Sequence, residues 1–387
     1  MLPKQSPLNL PAKLKAHVQQ HSIITRSPGR INLIGEHTDY NEGYVLPAAI
    51  DKAAYLSLTP RQDQTIVLHA LDLGEVFRVP MGEIKKIPGS WTNYILGVVD
   101  QFIQRGIAVP GFEAALVADI PLGAGLSSSA AVECATAMAL NEWLATGLDK
   151  LTLVKMSQMA EHAYAGVQCG IMDQFASMFG KKDHVIRLDC RSLQYEYVPF
   201  LTKGIRIVLM DTQIKHSLAS SEYNTRRQQC DLGVSLIRKH HPEVSSLRDV
   251  TREMLDEFVL QKDPLIYHRC QYVVEENGRL LEACEDLRKG DLRSFGSKLF
   301  VTHEGLSHLY QVSCEELDFL VDHVRNNPSV LGARMMGGGF GGCTLNLVRE
   351  EAVDELIHSA SRAYLDFSGQ ELKAYMASIE DGTSRIS

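Results

Sequence analysis

Residues 121–131 read Pro121-Leu122-Gly123-Ala124-Gly125-Leu126-Ser127-Ser128-Ser129-Ala130-Ala131, and an apolar run with helical character continues to Leu140. A glycine-rich turn followed by three hydroxyls and then a helix leaves backbone N–H groups unpaired at the positive end of the helix dipole. Glycines let such a backbone close around an anion, so the stretch suits a phosphate. The same residues also suit a tight turn closed by a serine cap. The lysine of a G-x-x-x-x-G-K-[ST] loop is missing, and so is the G-x-G-x-x-G pattern with its downstream acid, so neither of those nucleotide motifs applies.

At 387 residues and roughly 150 residues per domain, two or three domains are expected. Hydrophobic residues make up 45% and charged residues 22%, the balance of a globular protein with a substantial core. The net charge of −8 and the lack of a basic tract argue against nucleic acid and acidic membranes as partners. An anionic ligand must therefore be held by local groups. The eight cysteines, Cys134, Cys169, Cys190, Cys230, Cys270, Cys284, Cys314 and Cys343, are scattered without a C-x-x-C pair. That pattern disfavours a zinc ribbon or redox dithiol and suits buried thiols in a reducing compartment. Met1 to Gln20 is polar and no apolar run approaches a membrane span, so a cytoplasmic location is expected.

Hydrophobic periodicity predicts a short helix over 11–20 and a strand over 21–25 that ends at Ser27-Pro28-Gly29. Further strands are expected near 53–58, 65–70, 75–79 and 112–118, with a helix over 91–105. After the helix that follows the glycine turn, helices are expected over 151–164 and 171–179, and strands over 184–188 and 205–210. From Asn224 the chain turns helix-rich, near 225–240, 265–288, 290–306 and 314–326. A strand over 343–348 and a helix from Glu351 follow. A domain boundary is placed near 195–204, giving an N-terminal domain of residues 1–198 and a C-terminal domain of 199–387.

Three further segments carry candidate chemistry. Arg30 is followed by Glu36, His37 and Asp39, two carboxylates and an imidazole within four residues. Carboxylates accept hydrogen bonds from neighbouring hydroxyls, so the cluster suits a sugar; it also suits a solvated turn. Glu161 lies near the end of a predicted helix, where the dipole disfavours a carboxylate and a bound cation would relieve it. Asp173 stands alone in the apolar stretch Gly170-Ile171-Met172-Asp173-Gln174-Phe175, where it either caps a helix or faces a site. Gly337 to Gly342 holds five glycines in six residues, which excludes a helix interior. It is either a flexible turn or a second strip of amides at a ligand.

Taken together, these segments resemble the GHMP kinase superfamily, and within it the galactokinase family, over nearly the whole chain. Gly29-Arg30-Ile31-Asn32-Leu33-Ile34-Gly35-Glu36-His37-Thr38-Asp39-Tyr40 is similar to the galactokinase signature. Pro121 to Ala131 is similar to the superfamily phosphate loop, and Gly332 to Gly342 to its C-terminal glycine loop. The resemblance implies an α+β fold with two domains. The N-terminal one is like part of a ribosomal protein, the C-terminal one is ferredoxin-like, and the site lies between them. It also implies transfer of the ATP γ-phosphate to the anomeric hydroxyl of α-D-galactose, the step that commits galactose to use.

The resemblance further implies roles. Asp173 is the expected base, with Arg30 beside it. Glu36, His37, Thr38, Asp39, Gly170 and Tyr223 are the expected sugar-binding residues with Asp173. Gly123, Ala124, Gly125, Leu126, Ser127, Ser128 and Ser129 form the phosphate cradle, Trp91 lies near the adenine, and Ser129 and Glu161 are the expected ligands of Mg²⁺. The expected partners are galactose and ATP, with neither nucleic acid nor membrane, and the protein is expected to act as a monomer. Phosphoryl transfer needs positioning and charge neutralisation more than covalent help, and these residues offer both. Two alternatives stay open. A non-catalytic galactose sensor would lack a Ser-Ala pair in the loop, whereas Ser129-Ala130 is present. An N-acetylgalactosamine kinase would need room around the sugar C2, and no device for that is evident.

Overall fold

A computed structural model describes residues 10–121, 123–200, 203–215 and 219–386. Leu122 of the glycine turn, residues 1–9 of the polar N-terminus and residues 201–202 of the boundary region lie outside the described residues. Six strands build the first sheet, in the order Ser384–Arg385, Ile23–Asn32, Pro47–Pro60, Phe112–Ala118, Thr65–Ala70 and Glu75–Pro80. Thr65–Ala70 and Phe112–Ala118 run parallel; the other neighbours are antiparallel. A smaller sheet joins Tyr44–Val45, His184–Asp189 and Tyr195–Pro199. The third sheet is antiparallel, ordered Val330–Met335, Gly341–Arg349, Ile205–Lys215 and Lys373–Ala377, with helices packed on it.

The first strand is longer than its composition suggests. Pro28 and Gly29 read as breakers, yet the strand runs from Ile23 to Asn32 and takes up the irregularity as a bulge between Pro28 and Arg30. Bulges are where a strand tolerates such residues, and they re-aim the next side chain. Here that side chain is Arg30. Gly29 is required at the bulge, because a methyl group on it would lie 2.7 Å from the Leu126 carbonyl oxygen. The sequence signature and the glycine turn are thus pressed together backbone to backbone.

The helix after the turn, Ser128–Trp143, is buried on all sides from Ala130 to Leu140. Small apolar residues all round a helix mark a core element, so the turn is mounted on a rigid support. The predicted helix over 151–164 is an α-helix only to Ala160; Glu161–Ala165 forms a π-helical turn. One main core holds Ile31, Leu33 and Val45 together with Leu280, Phe295 and Leu345, so apolar packing crosses the position where the sequence places its boundary. The change of sheets falls between Tyr195–Pro199 and Ile205–Lys215. The chain end then returns to pair Thr25 with Arg385 in the first sheet. That last segment therefore packs with the N-terminal layer.

Candidate active site

Arg30 leaves the bulge, buried, and reaches two places at once. Its Nε and Nη2 donate to Asp173 Oδ1 and Oδ2 at 2.8 and 2.9 Å. Its Nη1 donates to the Gly125 carbonyl at 2.7 Å, and its backbone N–H donates to Leu126 O at 3.1 Å. A bidentate guanidinium–carboxylate pair fixes orientation as well as charge. Asp173 sits in the first turn of the helix Met172–Phe179 but does not cap it; its other partner is the Ser127 hydroxyl, which donates to Oδ2. Ser127, at φ +54°, makes no side-chain cap on its own helix either. The serine-cap reading of the loop therefore fails: the Ser127 hydroxyl is turned towards Asp173 and caps no amide of its own helix.

A pocket opens around this pair, lined among others by Glu36, His37, Asp39, Asp173, Tyr223 and Gly338. His37, at φ +62°, stacks loosely against Tyr223, with ring centroids 5.3 Å apart. Burial holds its imidazole down at about 4, so the ring is neutral at neutral pH. Its Nε2 is buried with no hydrogen-bond partner among the described residues, an unfilled position for a ligand polar group. Burial, reinforced by the charge of Asp173, pushes the Asp39 carboxyl up to about 6. Gly170 acts through Asp39, since a methyl group on it would lie 1.9 Å from Asp39 Oδ2. Only the bare backbone lets that carboxylate stay where it is.

Two expected sugar contacts look different in three dimensions. Thr38 is fully buried away from the pocket, and its hydroxyl is shared between the Gly35 and Tyr44 carbonyls, closing the turn. Glu36 does line the pocket, but its carboxylate is already occupied: Oε1 accepts from Arg334 Nη2 at 2.9 Å and from Gly337 N at 2.8 Å, and Oε2 from Asn32 at 2.9 Å. Arg334, fully buried, also donates to the carbonyls of Leu33, Met335 and Asn32. Sequence reasoning missed Arg334. Its one signal was a charge inside the apolar strand Val330–Met335. The glycine loop that follows is thereby tied by its Gly337 N–H to the signature, and Gly337 and Gly338 line the pocket.

On the other side of Asp173, Ser129 Oγ donates to Glu161 Oε1 at 3.0 Å, and Gln174 Nε2 donates to Glu161 Oε2 at 2.6 Å. The π-helical turn sets Glu161 at this place, a common use of such turns. Burial and then the charge of Asp173 push Glu161 up to about 7. Among the described residues no group of three or more His, Cys, Asp or Glu side chains is arranged to hold a metal ion. A divalent ion would draw on Ser129, Glu161 and the oxygens of a bound phosphate. These are hard oxygen donors, and a buried carboxyl disfavoured as an anion is one that a cation would favour, so the pair fits Mg²⁺.

Ser128 and Ser129 also border an apolar slot lined by Trp91, Tyr94, Leu73, Leu116, Ile120 and Val132. Trp91 Nε1 donates to Glu75 Oε2 at 2.7 Å, so the indole that lines the slot is held by its polar edge. A flat aromatic group joined to phosphates fits this arrangement, slot beside cradle.

The chain matches three family models: the galactokinase galactose-binding signature over residues 13–60, the GHMP kinase N-terminal domain over 93–181 and the GHMP kinase C-terminal domain over 283–366. It is 43% identical to a galactokinase of Thermotoga petrophila over 361 residues, 93% of this chain and 99% of that one. It is 38% identical to a galactokinase of Roseiflexus over 97% of both chains. The fold superposes on the crystal structure of Lactococcus lactis galactokinase complexed with galactose with a TM-score of 0.90 and 34% identity, covering 95% of this chain and 96% of that one. The expected α+β architecture is therefore that of the GHMP kinases, and the chain belongs to the galactokinase family.

Proposed function

We propose that the protein is an ATP-dependent galactokinase that transfers the γ-phosphoryl group to the anomeric hydroxyl of α-D-galactose, releasing ADP. One observation carries the reading: Asp173 is clamped by Arg30 and bonded by Ser127 at the seam between a pocket of hydroxyl-seeking groups and the N-terminus of the helix Ser128–Trp143. Galactose would occupy the pocket beside His37, Asp39 and Tyr223, with Asp173 accepting the anomeric proton as O1 forms its bond to phosphorus and the bond to the ADP oxygen breaks. The backbone from Gly123 to Ser129 would hold the phosphates, and Trp91 would flank the adenine. Arg30 orients the Asp173 carboxylate through two hydrogen bonds and, bonded to the Gly125 carbonyl, lies close enough to the loop to offset charge building on the phosphoryl oxygens. Ser129 and Glu161 would hold Mg²⁺, which neutralises phosphate charge when bound. The protein's own charge of −8 matters little, because distant charges are screened.

Action in the cytoplasm as a monomer is part of the same reading. No helix among the described residues is long and apolar enough to cross a membrane, and the eight cysteines are free thiols. The test is ADP release with galactose, N-acetylgalactosamine and mevalonate as separate acceptors. Turnover with galactose well above the other two is expected; tight galactose binding with no ADP release would instead make the protein a sensor.

A pH profile of sugar binding tests the pocket independently. A sugar hydroxyl donates to ionised Asp39, whose carboxyl lies at about 6 without ligand. Galactose affinity should therefore fall as the pH drops through that value, by up to about tenfold per unit. The unliganded fold should respond with the opposite sign, because a raised carboxyl stabilises the native state as pH falls from there towards the ordinary carboxylate range. Calorimetric titration across this window should show the loss of affinity, and Asp39→Asn should flatten it. A profile unchanged by that substitution would remove Asp39 from the sugar contacts.

A further inference from the structure

Behind the pocket runs a buried chain of hydrogen bonds that the reaction itself does not use. His37 Nδ1 lies 2.8 Å from the Tyr40 hydroxyl, Tyr40 Oη lies 2.7 Å from Tyr310 Oη, and Tyr310 Oη lies 3.2 Å from Cys230 Sγ. Tyr310 and Cys230 are fully buried and come from the helical second half, far in sequence from the signature. Each phenol has one proton to give, so the chain has two uniform orders. In one, the imidazole gives its Nδ1 proton and the thiol receives at the far end. In the other, Cys230 donates to Tyr310, Tyr310 to Tyr40, and Tyr40 to an unprotonated Nδ1.

Chemistry favours the second. A phenol is the better donor and an imidazole nitrogen the better acceptor, and this order places that strong pair at the short His37–Tyr40 contact. At the His37 end, Nε2 is buried with no hydrogen-bond partner among the described residues.

We propose that Tyr310 is a positioning residue for sugar recognition: acting through Tyr40, it holds the His37 imidazole in the tautomer that carries its proton on Nε2 and offers that N–H to a sugar hydroxyl oxygen. The proposal rests on the galactokinase reading for the identity of the sugar, but not for the tautomer.

The test is Tyr310→Phe, which keeps the ring and its packing and removes the hydroxyl. Galactose affinity should weaken about tenfold, with kcat at saturating galactose within about threefold of the parent and KM for ATP unmoved. In protein labelled with ¹⁵N at histidine, the His37 signals of the parent should show an unprotonated Nδ1 and a protonated Nε2, and Tyr310→Phe should move them towards a mixture. Cys230→Ser, which keeps a donor at the far end, should preserve the parental signals, whereas Cys230→Ala should shift them in the direction of Tyr310→Phe. The cysteine pair carries the test if Tyr310→Phe does not fold. A parental His37 protonated on Nδ1, or labelled signals indifferent to all three substitutions, overturns the proposal. If the parent has the assigned tautomer but neither binds nor phosphorylates galactose, the functional reading fails and the relay stands.

Discussion

Asp173→Asn should phosphorylate galactose about 10²–10⁴-fold more slowly than the parent enzyme, the range expected for loss of a general base. Galactose affinity should change only a few-fold. Asparagine keeps the size of the side chain and one carbonyl oxygen for Arg30 and Ser127, which now share Asp173, so the pocket wall survives while proton acceptance does not. Steady-state kinetics with calorimetric binding separates the two effects. A near-parental kcat would reduce Asp173 to a residue that positions the sugar. The reverse pattern, lost affinity with kcat intact at saturation, would do the same.

Arg334→Met should be the most destabilising single change near the site. It leaves Glu36 buried with its largest counter-charge gone and strands the carbonyls of Leu33 and Asn32, which Arg334 now satisfies. Breaking a buried pair from one side costs about 3–5 kcal/mol, and a lowered denaturant midpoint should report it. The double variant Glu36→Gln with Arg334→Met should be less unstable than the sum of the two single changes, because neither charge is then left alone. Additive losses would show that the two groups do not depend on each other. Galactose affinity should fall in Arg334→Met as well, since Gly337 is tied to Glu36 and lines the pocket.

What was legible in the sequence was local. Glycines and hydroxyls from Gly123 to Ser129 read as a turn feeding a helix because turn chemistry is written in neighbouring residues, and a lone Asp173 in an apolar stretch stands out for the same reason. The clasp between Glu36 and Arg334 joins residues about three hundred positions apart, and neither neighbourhood hints at the other. Glu36 therefore read as a sugar contact, with no sign of the three hydrogen bonds from Arg334, Gly337 and Asn32 that its carboxylate accepts. Thr38 misled in the same way: a hydroxyl inside a polar cluster looks available until the turn that needs it is seen. The π-helical turn at Glu161 escaped because a helical period over 151–164 does not register one extra residue per turn. The strand through Pro28 and Gly29 was cut short because both residues usually end strands, and only the bulge explains why they do not here.

The most direct measurement is a crystal structure with galactose, a non-hydrolysable ATP analogue and Mg²⁺ bound together. The anomeric oxygen should lie within hydrogen-bond reach of Asp173, about 2.6–3.2 Å, with the γ-phosphate on the amides after Gly123 and in line with that oxygen. A sugar seated with its anomeric carbon turned away from Asp173, or a nucleotide whose phosphates avoid the loop, would contradict the assignment of this seam as the place of phosphoryl transfer.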